Sequence, residues 1–295
     1  HTRLLIAVSL ISVFVSACEN QKNGDQRNTA VGDITMARLL AQDAEPEMWL
    51  TGGRDYQQSY FSPLKDLNKK NIKHLGFAWQ YEIDTTDGFE ATPIVVDGVM
   101  FSSGPKGAVY SLDAKTGKER WKFEPDPIAP EVFGKIDTGS PVNRGLAVWE
   151  GSVFVASLDG HLYCLDAATG DINWKKDTIS DRERGYTITG APYVANNVVV
   201  IGNSGAELDA RGYVTAYDLK TGQQRWRFFT VPGNPELGFE HPELEMAAKT
   251  WDPNSLWHVG LGGTVWDGMA YDPTLNLLYV GTGNGVLHPR KLCSP

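Results

Sequence analysis

One ten-residue phrase occurs three times along the chain. It reads Leu112-Asp113-Ala114-Lys115-Thr116-Gly117-Lys118-Glu119-Arg120-Trp121. It returns as Leu165-Asp166-Ala167-Ala168-Thr169-Gly170-Asp171-Ile172-Asn173-Trp174, and again as Tyr217-Asp218-Leu219-Lys220-Thr221-Gly222-Gln223-Gln224-Arg225-Trp226. The closing tryptophans stand 53 and 52 residues apart. A constant period of this size means an array of equal supersecondary units, each burying its apolar face against the next.

Each phrase is preceded by short alternating apolar runs. The first unit carries Ile94-Val95-Val96, Val99-Met100-Phe101 and Ala108-Val109-Tyr110; the second carries Leu146-Ala147-Val148, Val153-Phe154-Val155 and His161-Leu162-Tyr163. The third carries Tyr193-Val194, Val198 to Ile201 and Tyr213-Val214-Thr215. Such β-branched and aromatic runs, separated by Gly or Asn, predict antiparallel strands joined by hairpins. The Asp-x-x-Thr-Gly segment predicts a tight turn, with Gly at a positive φ and the Asp and Thr side chains bonding nearby backbone. Short strands repeated every ~50 residues are the mark of a propeller blade. The expected fold is all-β: a β-propeller of four-stranded antiparallel blades, about half of an eight-bladed one, with Trp121, Trp174 and Trp226 each packing between neighbouring blades. Trp79 reads as the tail of a preceding partial blade, and Met269 to Gly281 as the start of a further one. Two helices are expected outside the array, at 34–43 and 242–249.

The termini and composition narrow the class. Residues 4–17 are almost wholly apolar and follow Arg3. That run is too short for a membrane span and suits the core of a signal peptide. It ends Val15-Ser16-Ala17-Cys18, similar to a bacterial lipobox, which implies cleavage before Cys18 and lipidation of its thiol. The expected organisation is a lipoprotein-type signal peptide over 1–18, a polar tether over 19–45 and a partial propeller over 46–295, in a periplasmic protein anchored to a membrane through Cys18. A net charge of −9 without a basic patch argues against nucleic acid as a partner. Cys164 lies in a strand run and is expected as a small buried apolar residue, and the spacing of the three cysteines suggests neither a metal site nor a disulfide framework.

Function is expected where a repeat departs from its siblings. Ile94 to Trp121 and Ala147 to Trp174 each span 27 residues, whereas Tyr193 to Trp226 spans 33. The extra residues fall around Asn203-Ser204-Gly205-Ala206-Glu207-Leu208-Asp209-Ala210-Arg211-Gly212, where a carboxylate follows small residues that let backbone approach a ligand. Glu90, Arg144 and Thr189 each lie a few residues before the first strand of their unit. In a propeller that strand lines the central axis, so these three positions would converge on one site.

Together these residues resemble the quinoprotein alcohol dehydrogenases, which use pyrroloquinoline quinone (PQQ). The likeness runs from Glu47 to Gly285. It opens with Trp49-x-x-x-Gly53-Arg54-Asp55 and Gln58-x-Tyr60-x-Ser62-Pro63-Leu64. Asn143-Arg144-Gly145, Ser204-Gly205-Ala206-Glu207, Gly262-Gly263-Thr264-x-Trp266 and Gly281-Thr282-Gly283-Asn284 follow in family order. The resemblance implies that Glu90, Arg144, Thr189, Ser204, Gly205, Ala206, Glu207 and Thr264 hold PQQ, with Trp266 stacking under its ring. It implies that Glu207 and Asn284 ligate a calcium or lanthanide ion. The chemistry agrees: a planar tricarboxylated quinone suits an aromatic floor, an arginine and backbone amides, and a hard cation suits carboxylate and amide oxygens. The implied reaction is oxidation of a small alcohol by hydride transfer to PQQ, with electrons passed to a cytochrome c. Two departures stand out. The family's adjacent cysteines are replaced by Thr138-Gly139-Ser140-Pro141. The family's catalytic Asp and a second quinone-binding Arg would lie beyond Pro295, so no catalytic residue is assigned and a chain of this extent is expected to be inactive alone. The alternatives are a lipid-anchored propeller acting as a scaffold in outer-membrane protein assembly, and a sugar or aldose quinoprotein dehydrogenase.

Overall fold

The computed structural model describes residues 30–136, 141–260 and 262–285. The signal peptide, Cys18, Thr138 to Ser140, the tail from Val286 and Cys293 lie outside them. Each repeat forms one four-stranded antiparallel sheet in sequential order. The first blade is β1 (Ile94–Val96), β2 (Val99–Ser103), β3 (Val109–Asp113) and β4 (Glu119–Phe123). The second is β5 (Ala147–Trp149), β6 (Ser152–Ala156), β7 (His161–Asp166) and β8 (Ile172–Asp177). The third is β9 (Tyr193–Ala195), β10 (Val198–Gly202), β11 (Tyr213–Asp218) and β12 (Gln224–Phe229). A two-stranded sheet, β13 (Met269–Asp272) with β14 (Leu277–Val280), follows. Among the described residues three short α-helices lie outside the blades: α1 (Met36–Leu40), α2 (Pro130–Ile136) and α3 (Pro242–Ala248).

The repeated phrase builds the same device three times. Between the third and fourth strands the register slips by one residue at Ser111/Leu112, Cys164/Leu165 and Ala216/Tyr217, so a β-bulge always faces the tryptophan. The Asp carboxylate then accepts the Thr amide in each turn, at 2.8 Å for Asp113, 2.9 Å for Asp166 and 2.9 Å for Asp218. These bonds favour the ionised form. The Thr116 hydroxyl and amide hold the Asp113 carboxyl below its ordinary value. Arg225, then Thr221, lowers that of Asp218.

The turn of one blade is the slot for the tryptophan of the blade before it. Indole Nε1 donates from Trp79 to Ala114 O (3.2 Å), from Trp121 to Ala167 O (3.1 Å) and from Trp174 to Leu219 O (3.0 Å). The glycine closing each turn has positive φ and lies against the ring. A Cβ on Gly117 would come within 2.4 Å of Trp79, and one on Gly170 within 2.7 Å of Trp121. Only glycine satisfies both the backbone angle and the ring contact. The slots expected for Trp121 and Trp174 are therefore present. Trp226 is 42 % exposed and has no such slot among the described residues. Residues 77–81 form no strand among the described residues, yet Trp79 occupies the first blade's turn as a fourth-strand tryptophan would.

The core is continuous from blade to blade. Phe101, Val153, Val155, Leu165, Val199 and Ala216 are completely buried within it, and Cys164 is buried as expected, its thiol pushed up by that burial. One expectation needs correction. Residues 30–45 do not continue a polar tether. Ile34 and Leu39 are buried in the main core, and Arg38 of α1 pairs with Glu45 and Asp97 at 2.6 Å each. The buried side chains are few among many polar ones, so composition averaged over the segment concealed them. The segment next to β1 is likewise part of the sheet architecture, with Trp49 and Val95 exchanging backbone bonds at 2.8 and 2.9 Å.

Candidate cofactor site

Antiparallel order puts the start of a blade's first strand, the link from its second to its third strand, and the end of its fourth strand at one end of the array. Glu90 precedes β1, Arg144 precedes β5 and Thr189 precedes β9. Ser204 to Glu207 connect β10 to β11, Thr264 and Trp266 precede β13, and Asn284 follows β14. These loops meet around a cavity of about 270 Å³ lined by Val142, Arg144, Thr187, Thr189, Ser204, Gly205, Ala206, Glu207, Thr264, Trp266, Gly283 and Asn284. Every expected site residue but Glu90 lines it, and Glu90 reaches it through Arg144.

Arg144 ties the loops together. Its Nη2 lies 3.1 Å from a Glu90 carboxylate oxygen, Nη1 donates to Thr189 Oγ1 at 2.6 Å, and the guanidinium stands 4.7 Å from the centroid of the Trp266 ring. One guanidinium therefore ties its own loop to loops of three other sheets. A planar cation over an indole face is attractive in its own right. Thr189 Oγ1 is also 2.7 Å from Ser204 Oγ, which extends the chain of polar contacts along the wall. The backbone supports it: Arg144 N donates to Thr189 O (2.9 Å) and Ser204 N to Thr187 O (2.8 Å).

The loop between β10 and β11 makes a short 3-10 turn at Ala206–Leu208, entered through Gly205 at φ +92°. A Cβ on Gly205 would lie 2.2 Å from Gly185 O. The close crossing of these two backbones presents Ser204, Ala206 and Glu207 to the cavity. On the opposite wall a Cβ at Gly283 would come 3.0 Å from Trp266 Nε1 and 3.2 Å from Thr264 Oγ1, so the missing side chain keeps the indole edge clear. Gly283 N donates to Thr264 O (2.8 Å), joining the segment that follows β14 to the loop before β13.

Glu207 and Asn284 face the same space. Asn284 Nδ2 donates to Gly285 O (2.8 Å), and its Oδ1 accepts no hydrogen bond among the described residues. Among the described residues no group of three or more His, Cys, Asp or Glu side chains is placed to hold a metal ion. The protein donors at this rim are thus one carboxylate and one amide oxygen, a hard set suited to an oxygen-seeking cation. The cradle fits a flat anionic ring: an aromatic face, an arginine, paired hydroxyls and glycine-lined walls.

Two arginines frame the site from outside. Arg211 binds Glu240 through both nitrogens (2.7 and 3.0 Å) and Val231 O (2.7 Å), and Arg184 Nη1 donates to Val259 O (3.1 Å). They pin the long connection between β12 and β13 beside the Ser204 loop, and Gly212 N donates to Gly262 O (3.0 Å) at its end. Val142, Thr187 and Gly283 of the lining were not among the expected residues. Val142 carries no polar signal. Thr187 stands out only through its backbone bridge to Ser204, a long-range pairing invisible in the sequence.

Comparison with known proteins places this chain in a family. Residues 49–287 match the glucose/ethanol/alcohol dehydrogenase β-propeller domain of the PQQ type. A quinohemoprotein alcohol dehydrogenase of Pseudomonas putida is 52 % identical over 259 residues, which is 88 % of this chain and 36 % of that protein. Its solved structure superposes with a TM-score of 0.82 at 51 % identity, covering 87 % of this chain and 37 % of that one. A 1-butanol dehydrogenase (cytochrome c) of Thauera butanivorans is 48 % identical over 205 residues, covering 70 % of this chain and 29 % of that protein. A europium-containing methanol dehydrogenase superposes with a TM-score of 0.73 at 34 % identity, covering 84 % and 44 % of the two chains. The chain spans little more than a third of the Pseudomonas relative's length. With its blade repeats, its cavity and a match over most of its length, this chain belongs to the PQQ-dependent glucose/ethanol/alcohol dehydrogenase family.

Proposed function

We propose that this chain provides the PQQ- and cation-binding wall of an alcohol dehydrogenase that oxidises a small alcohol and passes the electrons to a cytochrome c. The observation that carries the reading is the convergence of Arg144, Thr189, Ser204, Glu207, Thr264, Trp266 and Asn284, from separate stretches of chain, on one cavity. When bound, PQQ supplies a hydride-accepting quinone and a calcium or lanthanide ion polarises its carbonyl. The protein's own contribution is binding and orientation. Trp266 offers a flat apolar face, and Arg144 neutralises carboxylate charge. Glu90 restrains Arg144 by ion pairing, so the guanidinium need not be ordered anew on binding. Thr189, Ser204 and Thr264 offer hydroxyls, Gly205 and Ala206 bring backbone close, and Glu207 and Asn284 give the cation its oxygens. The cytochrome partner rests on the cytochrome c-linked relative, and the alternative cation on the europium-containing one. Oxygen ligands alone suit either ion. The non-enzymatic scaffold is disfavoured because a scaffold has no use for a cavity with this donor set.

The test is titration of the chain with PQQ in calcium or lanthanum, followed by quenching of tryptophan fluorescence. Saturable quenching is expected, weakened about tenfold or more in Trp266→Ala, where an aromatic stacking contact is lost. Quenching that is linear, or identical with and without either ion and in Glu207→Ala, would refute the assignment. We further propose that residues 4–18 direct export and lipidation at Cys18. Mass spectrometry of the exported protein would then show a lipid adduct on Cys18.

A further inference from the structure

Asn143 precedes Arg144 and does not line the cavity. It is 2 % exposed and well bonded. Its Oδ1 accepts from Ser103 Oγ (2.6 Å) and from Gly145 N (3.1 Å), and its Nδ2 donates to Ala156 O (2.9 Å). Ser103 is the last residue of β2 in the first blade, and Ala156 is the last of β6 in the second. Gly145 is the residue on the other side of Arg144. One buried amide therefore grips the ends of two neighbouring blades and also the peptide that carries the arginine.

The chemistry of that grip is specific to a carboxamide. The site needs an acceptor for two donors and a donor for one carbonyl, all from a short side chain. Aspartate would set an oxygen against Ala156 O. An alanine would leave the Ser103 hydroxyl, the Gly145 amide and the Ala156 carbonyl without these partners in a buried place. Beyond the grip, Arg144 is a long side chain whose guanidinium must meet Glu90, Thr189 and Trp266 together, at 3.1, 2.6 and 4.7 Å. A small rotation of its backbone would be magnified along that side chain and break all three contacts.

We infer that Asn143 is the positioning residue for Arg144, setting the backbone from which the guanidinium reaches the cavity and thereby the affinity for an anionic planar ring. The last part rests on the reading of the cavity as a PQQ site. The competing role is purely architectural, with Asn143 joining blades and Arg144 indifferent to it.

Two measurements on the full chain separate these roles. The first needs no cofactor: the Arg144 side-chain Nε–H resonance in heteronuclear NMR, identified by its loss in Arg144→Ala. Asn143→Ala is expected to move it to the position of solvent-exposed arginines. Val199→Ala, which loosens the fully buried core of β10, is expected to leave it in place. The second is PQQ titration. Asn143→Ala is expected to raise Kd about tenfold, the scale of losing one charge-assisted contact. Adding it to Arg144→Ala is expected to cost nothing further, because both changes remove the same interaction. If Asn143→Ala does not fold, Ser103→Ala removes a single bond and is expected to shift both readings in the same direction. An unmoved resonance, additive losses in the double variant, or an affinity loss matched by Val199→Ala would overturn the inference. A resonance that moves in a chain that does not bind PQQ would refute the cofactor reading and leave the positioning of Arg144 standing.

Discussion

Gly205 concentrates the constraints on the site into one residue. It sits at φ +92°, and a Cβ there would lie 2.2 Å from Gly185 O, so both backbone and space exclude a side chain. Gly205→Ala is expected to lower stability by about 1–3 kcal/mol, the usual range for strain at such a φ. Because Gly205 carries the turn into Ala206 and Glu207, PQQ affinity should fall as well. Thermal unfolding and PQQ titration of the same sample check both effects. Arg144 is the residue that contacts Glu90, Thr189 and Trp266 together. Arg144→Lys keeps the charge but loses the planar fork that reaches Glu90 and Thr189 and lies over Trp266, so an Arg-to-Lys change here is not conservative. Its PQQ affinity is expected to fall about tenfold with the melting temperature little changed.

Among the structural elements, the tryptophan slot and the pinned connection between β12 and β13 make separate predictions. Trp121 is buried against the Gly170 turn and bonded to Ala167 O. Trp121→Ala is expected to cost about 3–5 kcal/mol, as large-to-small changes of buried aromatics do. Trp121→Phe should cost about 1 kcal/mol more than the loss of ring area alone, because it also removes the indole bond. Denaturant unfolding of the two variants checks the difference. The β12–β13 connection is held by Arg211, whose bonds to Glu240 keep that carboxyl below its ordinary value of 4.5. A depressed carboxyl stabilises the folded form above its unfolded pKa and loses that contribution as pH falls through the folded one. The connection should therefore be fastened at neutral pH and loosen below about pH 4.5. Hydrogen exchange over residues 230–260, compared between neutral and acid pH, is expected to show this. In Arg211→Ala the connection should be loose at both.

At the scale of the molecule, the site has no local existence. Glu90 and Asn284 lie 194 residues apart in sequence, and each loop is held by its sheet's pairing. PQQ binding and the β-sheet circular dichroism signal are therefore expected to be lost at the same urea concentration. A binding signal that persists after the sheet signal has gone would mean a local site independent of the array.

The sequence by itself determined the blades and named most of the residues that line the cavity. Period, strand alternation and the Asp-x-x-Thr-Gly-x-x-x-Trp phrase are local signals, written where their physical cause acts, and so the strands, the turns and the slots of Trp121 and Trp174 could be read from them, whereas the bulges facing the tryptophans appeared only in the structure. The family motifs nominated Arg144, Ser204, Glu207, Trp266 and Asn284, and the break in repeat length marked the loop that presents Glu207. The tertiary structure alone decided what depends on distances between blades. It bound Arg144 to Glu90, Thr189 and Trp266 together, brought Thr187 to Ser204, and made Asn143 a junction between β2 and β6. It also folded residues 30–45 onto the core, where Ile34 and Leu39 are too few to alter a segment average. Pairwise chemistry between residues far apart in sequence leaves no periodic trace, and it becomes visible only when the blades bring those residues into contact.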